Sequence, residues 1–475
     1  MNGLKVKNCC LSTLFCRPSR QFFCQLSEIF MPLRLLLALL MFLIFISPAR
    51  GEDDLTPQYK EEISLQEYPA PQNQYAGPVT IKEIRLRGNT FTTTSTILNY
   101  MTIKAGEVFA NQSALNSAID KSFRRLWDTQ LFYLVQIYDL PRSNPEQAVI
   151  YVLVQEGGHW SASASFWYLT LKRKNLFGKG KELGLIAGLD RIGAYYYDPY
   201  LANSPLTYRL SVNQTSGMKY QLESDDGAGI PNDAGFTLNN IIGSADFGFH
   251  LGDDLTIFSQ FRAEHYFPYR QNSSFNFAPF GADASHDNTT LGGYFCLEWR
   301  DTTWNTRKGI FLFGNYEHSL RQLGGDFAYF KYGLEARFYL PLPITERTIL
   351  AARLYLQRAY GDTPYYLLPD IGGINGLRAP DYGHYTAPRA VLATLELRQR
   401  LFTLPLFGVW LEGVAFVDVG RAFEEDEKFS LSQLLWAVGP GLRLHLPFLG
   451  RHDARLEMGF GREGHEIFLE LESGF

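Results

Sequence analysis

The stretch V-L-A-T-L-E-L-R-Q-R-L at residues 391–401 places apolar and polar side chains at alternating positions. Its apolar side chains point to one side of an extended chain: Val391, Ala393, Leu395, Leu397 and Leu401. Its polar and charged side chains point to the other side: Thr394, Glu396, Arg398 and Arg400. This period of two predicts a β-strand with one apolar and one charged face. The pattern recurs at 334–338, 454–458 and 467–472, so strand follows strand from residue 160 to 475.

A soluble β-sandwich would also alternate, so the period alone leaves the class open. The apolar face, however, carries aliphatic and aromatic residues along the whole segment, and no helical pattern follows that could cover it. The opposite face carries ionic pairs suited to a water-filled lumen. The sequence therefore predicts a mainly β protein, with a closed transmembrane antiparallel β-barrel of about 14 to 16 strands. Candidates for its interfacial aromatic girdles are Tyr195, Tyr196, Tyr197, Tyr266, Trp299 and Trp304.

The N-terminus has the features of a secretory signal. Arg34 precedes an apolar run at 35–46, and small residues then lead to a predicted cut after Gly51. The run is shorter than the roughly 20 residues of a spanning helix, which disfavours a retained anchor. Residues 1–51 are thus interpreted as a signal peptide with an N-terminal extension, with Met1 and Met31 both left open as the start.

Removal of residues 1–51 changes the composition of the mature chain. Four of the five cysteines lie in that segment, so only Cys296 is left and neither a disulfide nor a cysteine metal site is expected. The formal net charge of −5 becomes −10, with 38 basic and 48 acidic residues, which disfavours nucleic acid as a partner. The nine histidines show no metal-ligand spacing, and no G-x-S-x-G motif is present. We expect no enzymatic activity, metal or cofactor.

Two regions precede the barrel in the mature chain. Residues 52–78 are polar, rich in Pro, Gln and Tyr and without period, which predicts a flexible leader. Residues 79–157 follow the order β-α-α-β-β, and Asn111 or Ser113 is placed to cap the second helix. One face of that helix carries Leu115, Ile119, Phe123 and Leu126. A small α+β domain is therefore predicted before a barrel at 158–475.

Motifs in both regions resemble one protein family. I-K-E-I-R-L-R-G-N-T-F at 81–91, I-K-A-G-E-V-F at 103–109 and R-L-W-D-T-Q-L-F at 125–132 resemble a POTRA domain of the BamA and TamA superfamily of outer-membrane assembly and translocation proteins. Four barrel motifs match the same superfamily in order: N-L-F-G-K-G at 175–180, D-P-Y at 198–200, W-R-D-T-T-W-N-T-R-K-G at 299–309 and G-G-D-F-A-Y-F-K at 324–331. The resemblance implies one POTRA domain and sixteen barrel strands.

The loop G-G-I-N-G-L-R-A-P-D-Y at 372–382 resembles the inward-folded sixth loop of this family. The resemblance implies that Arg378 enters the lumen and meets an F-x-D-x-G strand, here Phe416, Asp418 and Gly420. Period two puts these three residues on the face opposite the valines of that strand, hence toward the lumen. The family usually has Gly and then an aromatic residue after the arginine; Ala379 and Pro380 follow here, so Tyr382 is the candidate for the missing ring.

The chain ends S-G-F, which resembles the C-terminal assembly signal of such barrels, with Phe475 as its key residue. The resemblance implies a cell outer membrane location, with the POTRA domain in the periplasm. It also implies a role in inserting or translocating unfolded client proteins through the POTRA domain and a barrel seam. That seam is expected between a first strand near 160–171 and a last strand near 466–475, with outer-membrane lipid and periplasmic proteins as further partners.

Two other functions are left open by the sequence. A two-partner secretion transporter has similar mechanics, but normally carries two POTRA modules and a plug helix, which do not fit into residues 52–78. A passive channel or structural barrel would keep the scaffold without handling clients. The client, the accessory partners and the oligomeric state are not specified by the residues.

Overall fold

The computed structural model describes residues 4–8, 75, 77–141, 146–165, 167–224, 235–270, 276–345, 347–378, 386–404, 409–446, 452–462 and 464–471. The chain divides into a unit that ends at Gly158 and a second unit that includes residues 159–475. The expected signal cleavage after Gly51 lies outside the described residues, as does nearly all of the expected leader. A first short strand, β1 (Leu4–Asn8), pairs antiparallel with residues 220–224.

The smaller unit is an α+β fold built on a four-stranded sheet. Its elements are β2 (Val79–Arg87), α1 (Thr94–Tyr100), β3 (Val108–Phe109), α2 (Gln112–Asp128), β4 (Phe132–Pro141) and β5 (Gln147–Glu156). The strand order is β3-β2-β5-β4; β2 and β5 are parallel and the other neighbours antiparallel. The unit has the β-α-α-β-β order expected from the sequence, with the two-residue β3 added, and β4 lies at one edge of the sheet.

Helix α2 starts where the sequence indicates. The Asn111 side chain accepts a hydrogen bond from the Ala114 N–H at 2.9 Å, which satisfies one of the donors left over at a helix N-terminus. Leu115 and Leu126 are fully buried in the core of the unit, whereas Phe123 is partly exposed and stacks on Trp127. None of the described helices is long and apolar enough to cross a membrane.

Glu156 at the end of β5 holds the turn that leads into α1. Its carboxylate accepts hydrogen bonds from the N–H groups of Phe91 and Thr92 and from the hydroxyl of Thr90, at 2.6–3.0 Å. Partial burial raises the pKa of this carboxyl, but these donors outweigh burial and hold the pKa below its ordinary value. Glu156 therefore stabilises the folded unit at pH values above the ordinary carboxyl pKa of about 4.3. This stabilisation is lost as the pH falls through the lowered pKa.

The larger unit is built on sixteen further strands, which pair antiparallel with their sequence neighbours from the first to the last. Its first eight strands are β6 (Trp160–Ala164), β7 (Tyr168–Leu176), β8 (Lys181–Gly188), β9 (Arg191–Asp198), β10 (Leu206–Ser224), β11 (Gly235–Leu251), β12 (Leu255–Arg270) and β13 (His286–Glu298). The next eight are β14 (Gly309–Ser319), β15 (Tyr329–Pro341), β16 (Thr348–Gly361), β17 (Arg389–Leu404), β18 (Val409–Phe423), β19 (Leu435–Leu446), β20 (His452–Gly461) and β21 (Gly464–Leu471).

Each of these strands pairs with its sequence neighbours, and β21 lies beside β6. The sheet therefore closes on itself, which confirms the predicted barrel. One detail of the prediction is wrong: the expected first strand at 160–171 is two strands, because the chain turns after β6 and begins β7 at Tyr168. The expected last strand corresponds to β21, and its end at Phe475 lies outside the described residues.

The two faces of the barrel are the inverse of those of a soluble protein. In β17 the side chains of Leu395 and Leu397 are 46% and 41% exposed on the outer face, whereas Glu396 and Arg398 are 1% and 5% exposed in the interior. The same alternation runs through β18, where Phe416 and Asp418 are buried and Val417 is exposed. An outer surface of this composition suits lipid, and the enclosed face suits water and paired charges.

Not every predicted girdle residue lies on the outer face. The Tyr195 hydroxyl donates to Glu182 and the Tyr266 ring is buried in an aromatic cluster. Trp304 donates from its indole N–H to Asp453 at 3.1 Å, inside the barrel. Those three girdle assignments are wrong. The sequence shows where the aromatic residues are, but not which of them face lipid.

The hydrogen bonds of Glu156 lead to a local prediction. Glu156→Gln is expected to speed hydrogen exchange at the Phe91 and Thr92 amides by roughly threefold to tenfold at neutral pH, because a neutral oxygen accepts more weakly than a carboxylate. Glu83→Gln is the control, since that exposed carboxylate pairs with Arg85 on the surface. Similar protection at both amides in all variants would contradict the assignment.

Adjacent residues of β12 test which face meets lipid. Phe261 is exposed on the outer face, and the inward Gln260 donates to Asp246 at 3.0 Å. We expect Phe261→Arg to lower the free energy of unfolding by about 2–4 kcal/mol if it lies near the bilayer midplane. Gln260→Arg should have little effect, because a charge there can pair with Asp246. Unfolding of the reconstituted barrel, followed by heat-dependent gel mobility, measures both, and equal effects would refute the assigned faces.

Candidate functional site in the barrel lumen

In the loop between β16 and β17, a tight turn at residues 372–377 comes directly before the candidate residue Arg378. Leu377 pairs back with Gly372 in an isolated bridge, and the Gly376 N–H donates to the Gly373 carbonyl at 2.9 Å. Gly373 has a φ of +87°, which favours glycine. A Cβ on Gly376 would lie only 2.1 Å from the Ile371 carbonyl oxygen. Gly373 and Gly376 of the G-G-I-N-G motif are thus required by the turn that presents Arg378.

Arg378 meets Asp418 of β18 in a two-pronged ion pair. Its Nε lies 2.7 Å from Asp418 Oδ2 and its Nη2 lies 2.8 Å from Oδ1. The Arg378 backbone N–H also donates to Oδ2 at 3.1 Å. Side-chain exposure is 2% for the arginine and 0% for the aspartate. The planar guanidinium therefore matches both carboxylate oxygens in a site closed to bulk water.

The remaining edge of Arg378 contacts two more carboxylates and a ring. Its Nη1 lies 2.7 Å from Glu396 of β17 and 2.8 Å from Glu457 of β20. The guanidinium carbon stands 3.5 Å from the ring centroid of Phe416, a cation–π geometry. These five side chains, Arg378, Asp418, Glu396, Glu457 and Phe416, are called the arginine lock below.

Three more arginines surround the arginine lock. Arg443 bonds both Glu396 and Glu457 at 2.8 Å, Arg398 bonds Glu396 at 2.8 Å, and Arg455 lies 3.2 Å from Glu457. The loop turn is held as well, since Arg455 donates to the Asn375 side chain at 2.7 Å and Arg353 donates to the Asn375 carbonyl. Strands β16, β17, β18 and β20 contact residues 374–378 of the loop directly, and β19 contributes Arg443, which holds two of the carboxylates in place.

Glycines in the wall make room for the arginine lock. A Cβ on Gly459 would lie 1.5 Å from the Arg378 carbonyl oxygen, and a Cβ on Gly439 would lie 2.9 Å from the Phe416 ring. Gly420, the third residue of the F-x-D-x-G motif, is buried and would carry a Cβ 3.1 Å from the Ile371 side chain. The loop backbone can approach the wall this closely because these positions lack a side chain.

The structure brings together part of the predicted set. Arg378, Phe416 and Asp418 are in contact, and Gly420 lies next to the loop. Tyr382 and Phe475 lie outside the described residues. Sequence reasoning did not assign Glu396, Glu457, Arg443 or Arg455 to this site. Their signal was the alternation of charges on β17 and β20, which indicates lumen-facing residues but not their partners across strands.

The arginine lock acts as a joint, by which we mean a set of buried ion pairs that fixes the loop to the barrel wall. Taking an arginine and three carboxylates out of water has a large desolvation cost, which is offset only while every charge keeps its partners. Removal of one partner leaves the others buried and unpaired. Within the described ranges, no group of three or more His, Cys, Asp or Glu residues could hold a metal ion.

Comparisons with known proteins agree with this architecture. Residues 175–458 match the family model described as the Omp85 superfamily domain. The BamA structure from Haemophilus ducreyi lacking POTRA domains 1–3 aligns at 16% identity and a TM-score of 0.52, covering 83% of each chain. CdiB from Escherichia coli aligns at 14% identity and a TM-score of 0.56, covering 84% of this chain and 76% of its own.

CdiB from Acinetobacter baumannii aligns at 12% identity and a TM-score of 0.51, over 83% of this chain and 74% of its own. At these identities the structural likeness shows a shared fold. A comparison with curated proteins finds no match.

The contacts of Arg378 predict strong coupling to Asp418. Arg378→Ala alone and Asp418→Ala alone are each expected to cost about 3–5 kcal/mol, because each leaves buried charge unpaired. The double variant should lose clearly less than the sum, with a coupling of about 1–3 kcal/mol in denaturant unfolding. Arg321 and Asp362 form the control, an exposed pair at 2.6 Å whose coupling should be about 0–1 kcal/mol. Strict additivity for the buried pair would refute the role.

Proposed function

The chain belongs to the Omp85 superfamily, and on that basis we propose that it inserts client proteins into the outer membrane or translocates them across it. Residues 160–471 form the outer-membrane β-barrel of that family. The observation that supports the proposal most is the arginine lock, in which a loop arginine is buried against carboxylates from three barrel strands. Such a joint holds the loop at Arg378 in a fixed position against the barrel wall.

The seam between β6 and β21 is the proposed place where a client is handled. These strands are adjacent in the sheet, and β6 pairs with β7 over only five residues, from Trp160 to Ala164. A short strand offers few ladder hydrogen bonds to hold the closure, so its edge can open at low cost. An open strand edge pairs readily with an extended client segment.

A chain of ion pairs joins the arginine lock to the seam. Arg378 contacts Glu457, Glu457 contacts Arg455, and Arg455 Nη1 lies 3.7 Å from Glu470 of β21. Displacement of β21 as the seam opens would therefore change the contact of Glu470 with Arg455, the last in a chain of ion pairs that begins at the buried loop arginine. We expect the loop position and seam opening to be coupled in this way.

The α+β unit is proposed to be a single periplasmic POTRA domain that receives clients or periplasmic partner proteins. Its edge strand β4 is ten residues long and is paired with β5 on one side of the sheet. An added client strand would gain main-chain hydrogen bonds along that edge. The energy for insertion would come from the client, which buries apolar surface in lipid and completes its own hydrogen bonds. No cofactor is needed for this cycle.

Two other functions compete with this proposal. A two-partner secretion transporter would use the same barrel for one dedicated substrate, and a passive channel would use it for none. The chain aligns with the BamA structure at a TM-score of 0.52 and with the CdiB structure at 0.56. Both scores reflect a shared barrel fold, so the functions are compared by experiment. The three functions differ in how many proteins depend on the chain.

Depletion of the chain followed by quantitative outer-membrane proteomics is the deciding experiment. The proposed function predicts reduced levels of several barrel proteins. Loss of one secreted protein alone would instead support a two-partner secretion transporter, and an unchanged proteome would support a passive barrel. Loss of one secreted protein alone would overturn insertion of client barrels, and an unchanged proteome would overturn both insertion and translocation.

Complementation during depletion tests whether the arginine lock takes part. Arg378→Lys keeps the charge but loses the two-pronged geometry, so we expect only partial recovery of client barrels. Arg321→Ala, which removes an exposed arginine of the outer surface, should restore them fully. Surface levels of each variant must be equal for the comparison, and full recovery by Arg378→Lys would count against the joint.

A further inference from the structure

The turn between β13 and β14, residues 299–308, folds into the lumen and is called the inward turn here. Its Trp304 ring lies 5.1 Å from the ring of Trp410 on β18 and 5.9 Å from that of His445 on β19. The indole N–H donates to Asp453 of β20. The inward turn therefore contacts β18, β19 and β20, which lie four to six strands beyond β14 in the sheet, so it crosses the lumen.

The inward turn is held in shape by its own hydrogen bonds. The Asp301 carboxylate accepts from the N–H groups of Thr302 at 2.9 Å and Arg307 at 3.1 Å. The buried Thr306 hydroxyl donates to the Thr302 carbonyl at 2.8 Å. The turn thus presents Thr303 and Asn305 to the lumen from a fixed backbone.

A cavity of about 180 Å³ lies between the inward turn and the barrel wall. Four arginines line it: Arg300, Arg337, Arg398 and Arg443. Among the residues that the structure describes, Asp453 is the only carboxylate that lines it; Asp453 accepts from the Trp304 indole and lies 2.8 Å from His445. One water needs only about 10–15 Å³ of such space, so the cavity has room for a polyatomic ion with several waters.

The charge in this cavity is asymmetric. Glu298, Glu335, Glu396 and Glu457 each form an ion pair with one of the four arginines, and none of these four carboxylates lines the cavity. The guanidinium groups therefore stand between these carboxylates and the cavity. A guanidinium offers five N–H donors in a planar fork, which suits the oxygens of phosphate and sulfate groups.

From this lining we propose that the cavity binds a small multivalent oxyanion, with inorganic phosphate as the simplest example. Arg300 of the inward turn would hold the anion together with Arg337 of β15, Arg398 of β17 and Arg443 of β19. The bound anion bridges the turn to the wall and braces it across the lumen. The site lies outside the arginine lock, but it shares Arg398 and Arg443 with the network around the lock.

Binding is tested on the purified full chain in detergent. Phosphate at millimolar concentration, against chloride at equal ionic strength and pH, should raise the thermal unfolding midpoint by at least about 2 °C. At such concentrations the general salting effect of phosphate is small. Broadening of the ³¹P resonance of inorganic phosphate by the protein measures binding directly. A headgroup phosphate would instead show as a response to short-chain phosphatidylglycerol but not to inorganic phosphate.

Variants separate a specific site from a general effect. Arg300→Gln should abolish both the midpoint shift and the line broadening, because Arg300 belongs to the cavity. Arg262→Gln is the matched control, a partly buried lumen arginine that pairs with Glu264 and Glu317 and does not line the cavity, and it should keep both responses. The absence of a response in the unmodified chain to either probe would overturn the proposal, as would an equal response in Arg300→Gln.

A second variant keeps the test decisive if Arg300→Gln folds poorly. Thr303→Glu places a carboxylate at the cavity, where it can stand in for the anion. We expect this variant to unfold at a higher temperature in chloride and to lose its response to phosphate. A lower midpoint together with an unchanged phosphate response would contradict the proposed site.

Discussion

The pairing of enclosed charges is the constraint on which the barrel and its loop both depend. Alternate side chains of every strand are shut inside a cylinder, and many of them are ionised. Arg378 can be buried there only because Asp418, Glu396 and Glu457 reach it from three strands. A slip of one residue in any of those strands would turn its carboxylate toward lipid and leave the arginine without that partner. The strand register and the position of the loop therefore stabilise each other.

Much of this architecture follows from the sequence alone. The alternation along β17, β18 and β20 is enough to assign the faces, because in a membrane barrel the leucines must face lipid and the glutamates beside them must face the lumen. The exposures of Leu395 and Glu396 agree with this assignment. The helical spacing of Leu115 and Leu126 and the cap at Asn111 likewise locate α2. Arg378 and Asp418 were paired through a resemblance between motifs, and the structure places them 2.7 Å apart.

Other features could not be read from the chain, because they depend on how the sheet closes. Glu396 and Glu457 are 61 positions apart in the sequence but contact the same Nη1 atom, since β17 and β20 curve around a common lumen. Alternation indicates that a residue is enclosed, but not which enclosed residue it faces. The girdle assignment of Trp304 was wrong for a related reason: only the path of the inward turn shows that its ring enters the lumen.

The charges at Arg443 connect the two segments that enter the lumen. Arg443 bonds Glu396 and Glu457, both of which also hold Arg378 from the loop after β16. The same arginine lines the cavity beside the turn after β13. A shift of the loop removes Arg378 from these two carboxylates, and a shift of the inward turn changes the cavity that Arg443 lines. Because buried carboxylates tolerate few lost partners, release of the loop and release of the inward turn should favour each other rather than occur independently.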